Sequence, residues 1–109
     1  MTQFDKREKG FESKYAHDQE LQFKVMARRN KLLGMWAAEQ LDLKDDAARE
    51  YALDVVRSDF EEAGDEDVFR KVRADLDAKQ VSVSDHHLRK QMEDLLDVAK
   101  QQIQDEVQL

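Results

Sequence analysis

FDKREKGFESKYAHDQELQFKVMARRNKLLGMW, from Phe4 to Trp36, is the stretch whose reading decides the fold. It divides near Gln19 and Glu20. At helical spacing the second half places Leu21, Val25, Leu32 and Trp36 on one face, and Met26, Leu33 and Ala37 widen it, so this half can join a core. The first half offers only Phe4, Phe11 and Tyr15 at spacings of seven and four, among residues that are mostly charged or small. Three aromatics on a narrow arc are too few to hold a helix to the chain's own core. They are enough to anchor it in another protein's groove. The expectation is a helical body, residues 20–109, carrying a partner-binding segment, residues 1–19.

The rest of the chain supports a helical body. It has 109 residues, no proline, and only Gly10, Gly34 and Gly64, with charged residues making up 39%. That is one domain by size, rich in good helix formers. No stretch alternates apolar and polar residues long enough to argue for a strand. The first helix proper is expected over about 20–41, with Gly34 letting another helix come close. After the acidic turn LDLKDD, Asp42 or Asp45 can cap a second helix over about 46–62, which carries Ala48, Tyr51, Ala52, Val55, Val56 and Phe60 on one side. Gly64 should stop it and Asp65 start a third over about 66–78, burying Val68, Phe69, Val72 and Leu76. A fourth follows QVSVS, capped by Ser82 or Ser84, with the stripe Leu88, Met92, Leu95, Leu96, Ala99, Ile103 and Val107. Four such stripes on short turns read as a bundle.

The segment 1–19 mixes signs closely. Asp5 pairs at i+4 with Lys9, but such pairs are worth only about 0.2–0.5 kcal/mol each. Gly10 costs roughly 1 kcal/mol relative to alanine. The segment is therefore expected to be disordered or frayed alone and helical when bound.

Composition excludes much. Without cysteine there are no disulfides, thiolate chemistry or cysteine-based zinc sites. No run approaches the roughly twenty apolar residues of a membrane helix, and MTQFDKREKG lacks the apolar core of a secretion signal. A cytosolic protein is expected. Residues 1–34 carry eight Lys or Arg against five Asp or Glu, and residues 35–109 carry ten against twenty. An acidic body argues against nucleic acid. Arg28, Arg29 and Lys31 form the one basic cluster, read as a solvated or internally paired face, with a weak nucleotide-phosphate contact as the alternative. Nothing assembles a catalytic site, a phosphate loop or a calcium loop, so no enzyme, metal or cofactor is expected. His86 and His87 diverge by about 100° on a helix and read as a solvated helix start. His17, beside Asp18, is either a pH-sensitive group at the edge of the binding segment or a plain exposed histidine.

At this point the residues match a known pattern. The run FDKREKGFESKYAHDQELQFKVMARRNKLLGMWAAE, with VVRSDFEEAGDEDVF at 55–69, resembles the zeta subunit family of the F-type ATP synthase, small alphaproteobacterial ATPase inhibitors. The resemblance spans almost the whole chain and is weakest over AKQVSVSDHHLRK, so nothing functional passes to His86 or His87. It implies an all-α four-helix bundle with a flexible N-terminal inhibitory segment. That segment enters a catalytic interface between alpha and beta subunits of the synthase head, becomes helical there, and blocks rotation in the hydrolytic direction. The gamma subunit is a further implied partner, and the implied location is cytoplasmic, peripheral to the inner membrane. By position the inhibitory motif falls on Phe4, Arg7, Glu8, Gly10, Phe11, Glu12, Lys14, Tyr15, Ala16, His17 and Asp18. Phe4, Phe11 and Tyr15 would fill apolar pockets while Arg7, Glu12 and Lys14 pair with partner charges. The bundle around Trp36 would hold the segment near its target. The competing readings are a structural or assembly adaptor of the same complex that leaves turnover unchanged, and a nucleotide-sensing helical protein.

Overall fold

The computed structural model describes the backbone of residues 3–59 and 65–107, with side chains from residue 18 onward. Every regular element in them is helical: α1 (Gln3–Gln40), α2 (Asp45–Ser58), α3 (Glu66–Ala78) and α4 (Asp85–Val107). The protein is an all-α four-helix bundle. With 38 residues, α1 is about 57 Å long at 1.5 Å per residue. It passes Gln19 and Glu20 without a break, so the first helix extends well beyond the start expected near residue 20. Asp59 follows α2, which ends at Ser58 rather than 62; Phe60 and Gly64, expected to line and stop it, lie outside the described residues.

Two helix ends use a non-glycine residue in the left-handed conformation. Asp42 has φ 61° and lets the Leu43 N–H donate to the Ala38 carbonyl at 2.8 Å. Gln80, with φ 58°, does the same for α3, where the Val81 N–H donates to the Leu76 carbonyl at 2.9 Å. This six-to-one bond closes each helix, and a short polar side chain such as that of Asp42 tolerates the required backbone better than a β-branched one. Asp42 thus ends α1 and does not cap α2. The capping position of α2 is Lys44, with no side-chain cap, while Asp45 and Asp46 lie in the first turn beside the helix's positive end. At α4 the expectation of Ser84 holds: its Oγ accepts from the His87 N–H at 3.0 Å.

The core joins all four helices through Leu33, Ala37 and Leu41 of α1 and its end, Val55, the set Val68, Phe69, Val72 and Leu76, and then Leu88 and Met92. Along α1 the centre of the buried face differs from the expected one. Leu33, Ala37 and Ala38 are fully buried, whereas Leu21, Val25, Leu32 and Trp36 are only half-buried. The reason is the small residues. A Cβ placed on Gly34 would stand 2.6 Å from the Ala52 Cα, so α1 and α2 touch at backbone level there. The helices approach along Gly34, Ala37 and Ala38, and the bulky Leu32 and Trp36, one turn apart on another face, are left away from this seam. Helix α4 runs opposite to α1: Arg28 reaches Gln102 and Glu106, whereas Trp36 stacks on His87 with ring centroids 6.0 Å apart. Helices α2 and α3 are tied by Tyr51, whose hydroxyl donates to Asp75 Oδ2 at 2.9 Å. Burial and that bond to a carboxylate hold the phenol well above its ordinary range.

The seam yields a sharp expectation. Gly34→Ala gains up to about 1 kcal/mol of helix propensity but forces a repacking of about 1–3 kcal/mol, and Gly34→Val loses the propensity gain as well. Thermal unfolding followed by circular dichroism should show both variants melting lower, valine more so, by roughly 4–8 °C per kcal/mol lost. An unchanged midpoint for Gly34→Val would mean that the two helices are not held at backbone contact.

Candidate functional site

The segment singled out in the sequence forms the first half of α1. Phe4, Arg7, Glu8, Phe11, Glu12, Lys14, Tyr15 and His17 lie along that helix, with side chains outside the described residues; Asp18 is exposed. At 100° per residue Phe4, Phe11 and Tyr15 share an arc of about 40°. Continued along the unbroken helix, the same arc passes Gln22, which is exposed, and then reaches Arg29 and Leu33, which are buried. One stripe of α1 therefore serves the chain's own core at one end and carries the three aromatics at the other.

The basic cluster is not one patch. Neighbouring positions diverge by about 100°, and the three side chains go to three places. Arg28 turns to α4, where Nη1 donates to Gln102 Oε1 at 2.8 Å and Nη2 to Glu106 Oε1 at 2.7 Å. Arg29 turns inward and is 1% exposed, its Nε donating to Asn30 Oδ1 at 2.8 Å and its Nη2 to Asp65 Oδ1 at 2.7 Å. Lys31 is exposed. Pairing within the fold, one of the two readings of this cluster, is what Arg28 and Arg29 do.

Sequence reasoning missed the pairing of Arg29 with Asp65. Asp65 stands at the capping position of α3, but its carboxylate makes no cap bond and reaches across to α1 instead. A capping aspartate and a surface arginine are the ordinary readings of such residues, and only the fold reveals that they meet. Asn30 is buried beside Arg29; four residues after Met26 and three before Leu33, it sits on the inward arc in spite of its polar side chain. His87 is likewise more than a solvated helix start, because its ring lies on Trp36 at an interplanar angle of 26°. Arg89 covers the Phe69 ring at 4.0 Å and donates to Glu66, closing α3 against α4.

Among the described residues no three His, Asp or Glu side chains gather as metal ligands, and no helix is long and apolar enough to cross a membrane. The conspicuous feature is a 38-residue helix whose sequence carries Phe4, Phe11 and Tyr15 on one arc. The chain belongs to the ATPase inhibitor subunit zeta family, whose model matches residues 1–102. A structure solved by solution NMR is similar at 52% identity and a TM-score of 0.71, covering 79% of this chain and 98% of that one. Comparison with curated proteins gives no match. Membership assigns the chain an inhibitory role toward an ATPase, as one of its associated subunits.

The buried guanidinium sets a test of the site's support. Asp65→Ala strands Arg29 in the interior and should lower stability in urea unfolding by roughly 1.5–3 kcal/mol, as for a lost hydrogen bond to a charged group. Removing the exposed Arg49, which pairs with Asp46 at 2.8 Å, should change stability by no more than about 0.5 kcal/mol. Equal losses would reduce Asp65 to an ordinary surface partner.

Proposed function

We propose that this chain inhibits ATP hydrolysis by the F-type ATP synthase, inserting the first half of α1 into a catalytic interface between alpha and beta subunits and blocking rotation in the hydrolytic direction. The observation that carries the reading is the aromatic arc. Phe4, Phe11 and Tyr15 lie on the stripe of α1 that, at Arg29 and Leu33, packs into the bundle. This chain's own core covers the stripe at Arg29 and Leu33, and a groove of the partner receives the aromatics. The three aromatics fill apolar pockets as anchors. Arg7, Glu12 and Lys14, with Glu8, His17 and Asp18 beside them, pair with partner charges and set the register. Inhibition is a matter of obstruction. A helix wedged between two subunits that must move against one another opposes the step by whatever it loses on being expelled.

Residues 1–19 act as the effector and residues 20–109 as the carrier. The alpha and beta subunits form the interface, and the gamma subunit is a further partner. The weak pairs and Gly10 given above make residues 3–19 the least stable part of α1 by themselves, and binding holds them helical. The protein stays peripheral to the membrane, on the cytoplasmic side where the synthase head stands.

Hydrolysis by purified synthase head, titrated with the full-length chain and with a chain lacking residues 1–19, tests this directly. The truncated chain should keep its helical spectrum and cooperative melt yet lose inhibition. Full inhibition by the truncated chain would move the effector elsewhere, and binding of the full-length chain without slower hydrolysis would make it an adaptor. Among point variants, Phe11→Ala and Tyr15→Ala should each weaken inhibition by about tenfold or more, as anchors do, and Glu8→Ala by less. Equal losses would argue against aromatic anchoring.

A further inference from the structure

A groove of about 410 Å³ opens where α1, α2 and α4 meet, one turn beyond the proposed effector segment. Its floor is apolar: Phe23 and Ala27 from α1, Leu53 and Val56 from α2, and Ile103 from α4. Phe23 is 60% exposed and Leu53 50%, high values for large apolar side chains in a small domain whose other such residues are mostly covered. Val107, also exposed, lies one turn past Ile103 on the same face of α4. The edge carries Lys24, Arg28 and Lys31. Lys24 pairs with Glu20 at 3.4 Å and Arg28 with Glu106 at 2.7 Å, exposed pairs that are weak enough to be exchanged for a partner's carboxylates, and Lys31 is exposed.

We infer that this groove is a second docking surface on the same target, taking a segment of the ATPase in which carboxylates flank apolar side chains. The inference rests on the function proposed above. Charge selects the occupant: residues 35–109 hold ten Lys or Arg against twenty Asp or Glu, so an acidic segment is repelled by most of the body and welcomed at this edge. A second copy of the chain fits poorly, since each copy carries a net charge of −7. Position selects the target. α1 is one helix from Gln3 to Gln40, and Phe23 lies eight residues, about 12 Å along the axis, beyond Tyr15. A segment seated in an interface as far as Tyr15 brings the groove to the outer surface of the subunits that form it. This moves the holding contact from the neighbourhood of Trp36, whose ring is already occupied by His87 and the core, to the opposite end of the bundle. The device is bivalent: the segment obstructs, and the groove raises its effective concentration at the interface.

Hydrolysis by the purified head is titrated with the full-length chain and with its Leu53→Glu and Lys31→Glu variants, at low and moderate salt. Both replaced side chains are exposed, and circular dichroism checks that each variant keeps its melt. Leu53→Glu should raise the half-inhibiting concentration about tenfold or more. Lys31→Glu should raise it several-fold at low salt and less at moderate salt, where the charge is screened. Maximal inhibition should be unchanged in both. If the full-length chain does not inhibit, the proposed function fails and takes the groove with it. If it inhibits, Phe11→Ala weakens it, and both groove variants titrate like the parent chain, the groove inference alone is overturned. Sedimentation of the free chain as a dimer that Leu53→Glu dissociates would overturn it too, by assigning the groove to a second copy.

Discussion

The backbone contact of Gly34 with Ala52 is the constraint on which the bundle depends. A helix pair carrying ordinary side chains at its seam stands 8–10 Å apart, and small residues bring it toward the lower end of that range. Closing α1 onto α2 at this point decides which arc of α1 faces inward. It buries Leu33, Ala37 and Ala38 and leaves Leu32 and Trp36, which share another face, half-covered. The remaining helices then pack onto a seam already defined, with Leu88 and Met92 of α4 and Val72 and Leu76 of α3 completing one core. Gly34 thus trades intrinsic helix propensity for proximity.

A second constraint is electrostatic. Arg29 is buried to 1% exposure, an environment in which an unpaired charge is costly, and the fold meets that cost with Asp65 and Asn30. Because Asp65 precedes α3, the bond ties the entry of α3 to the middle of α1. The guanidinium also lies on the stripe that continues into the aromatic arc. The stripe therefore changes character along its length, from apolar and paired within the bundle to aromatic and charged beyond it. A continuous helix transmits this geometry: whatever holds the far end of α1 is held at a fixed rotation and distance from the bundle.

Much of this was legible in the chain. The short turns, the stripe of α4 from Leu88 to Ile103 and the stretch Val68, Phe69, Val72 and Leu76 follow from spacing alone, as does the role of Gly34 in close approach. Val107, expected on the same stripe, is exposed beyond the end of the packed helices. The division at Gln19 and Glu20 is one of apolar content, and α1 runs through it unbroken, because a change in apolar content alters what a helix can bury and not whether its backbone hydrogen bonds continue. The helix ends were misread at Asp42, a good capping residue that instead adopts the left-handed conformation closing α1. Asp and Asn serve both roles, and local sequence does not separate them. The basic cluster could be read either way, since adjacent positions on a helix face different neighbours and nothing local says which ones.

By itself the sequence determined the helical class, the acidic body, the absence of cysteine chemistry, and the aromatic spacing that sets the first nineteen residues apart. These are properties of composition and period, and they need no knowledge of what lies opposite. Only the tertiary structure decided which arc of α1 is buried, that Arg29 meets Asp65 across 36 residues, that His87 lies on Trp36, and that Phe23, Leu53 and Ile103 converge on one groove. Each depends on helices far apart in the chain coming into contact. The physical reason is that side-chain periodicity specifies a face, whereas contact between faces is set by the shapes of two helices at once.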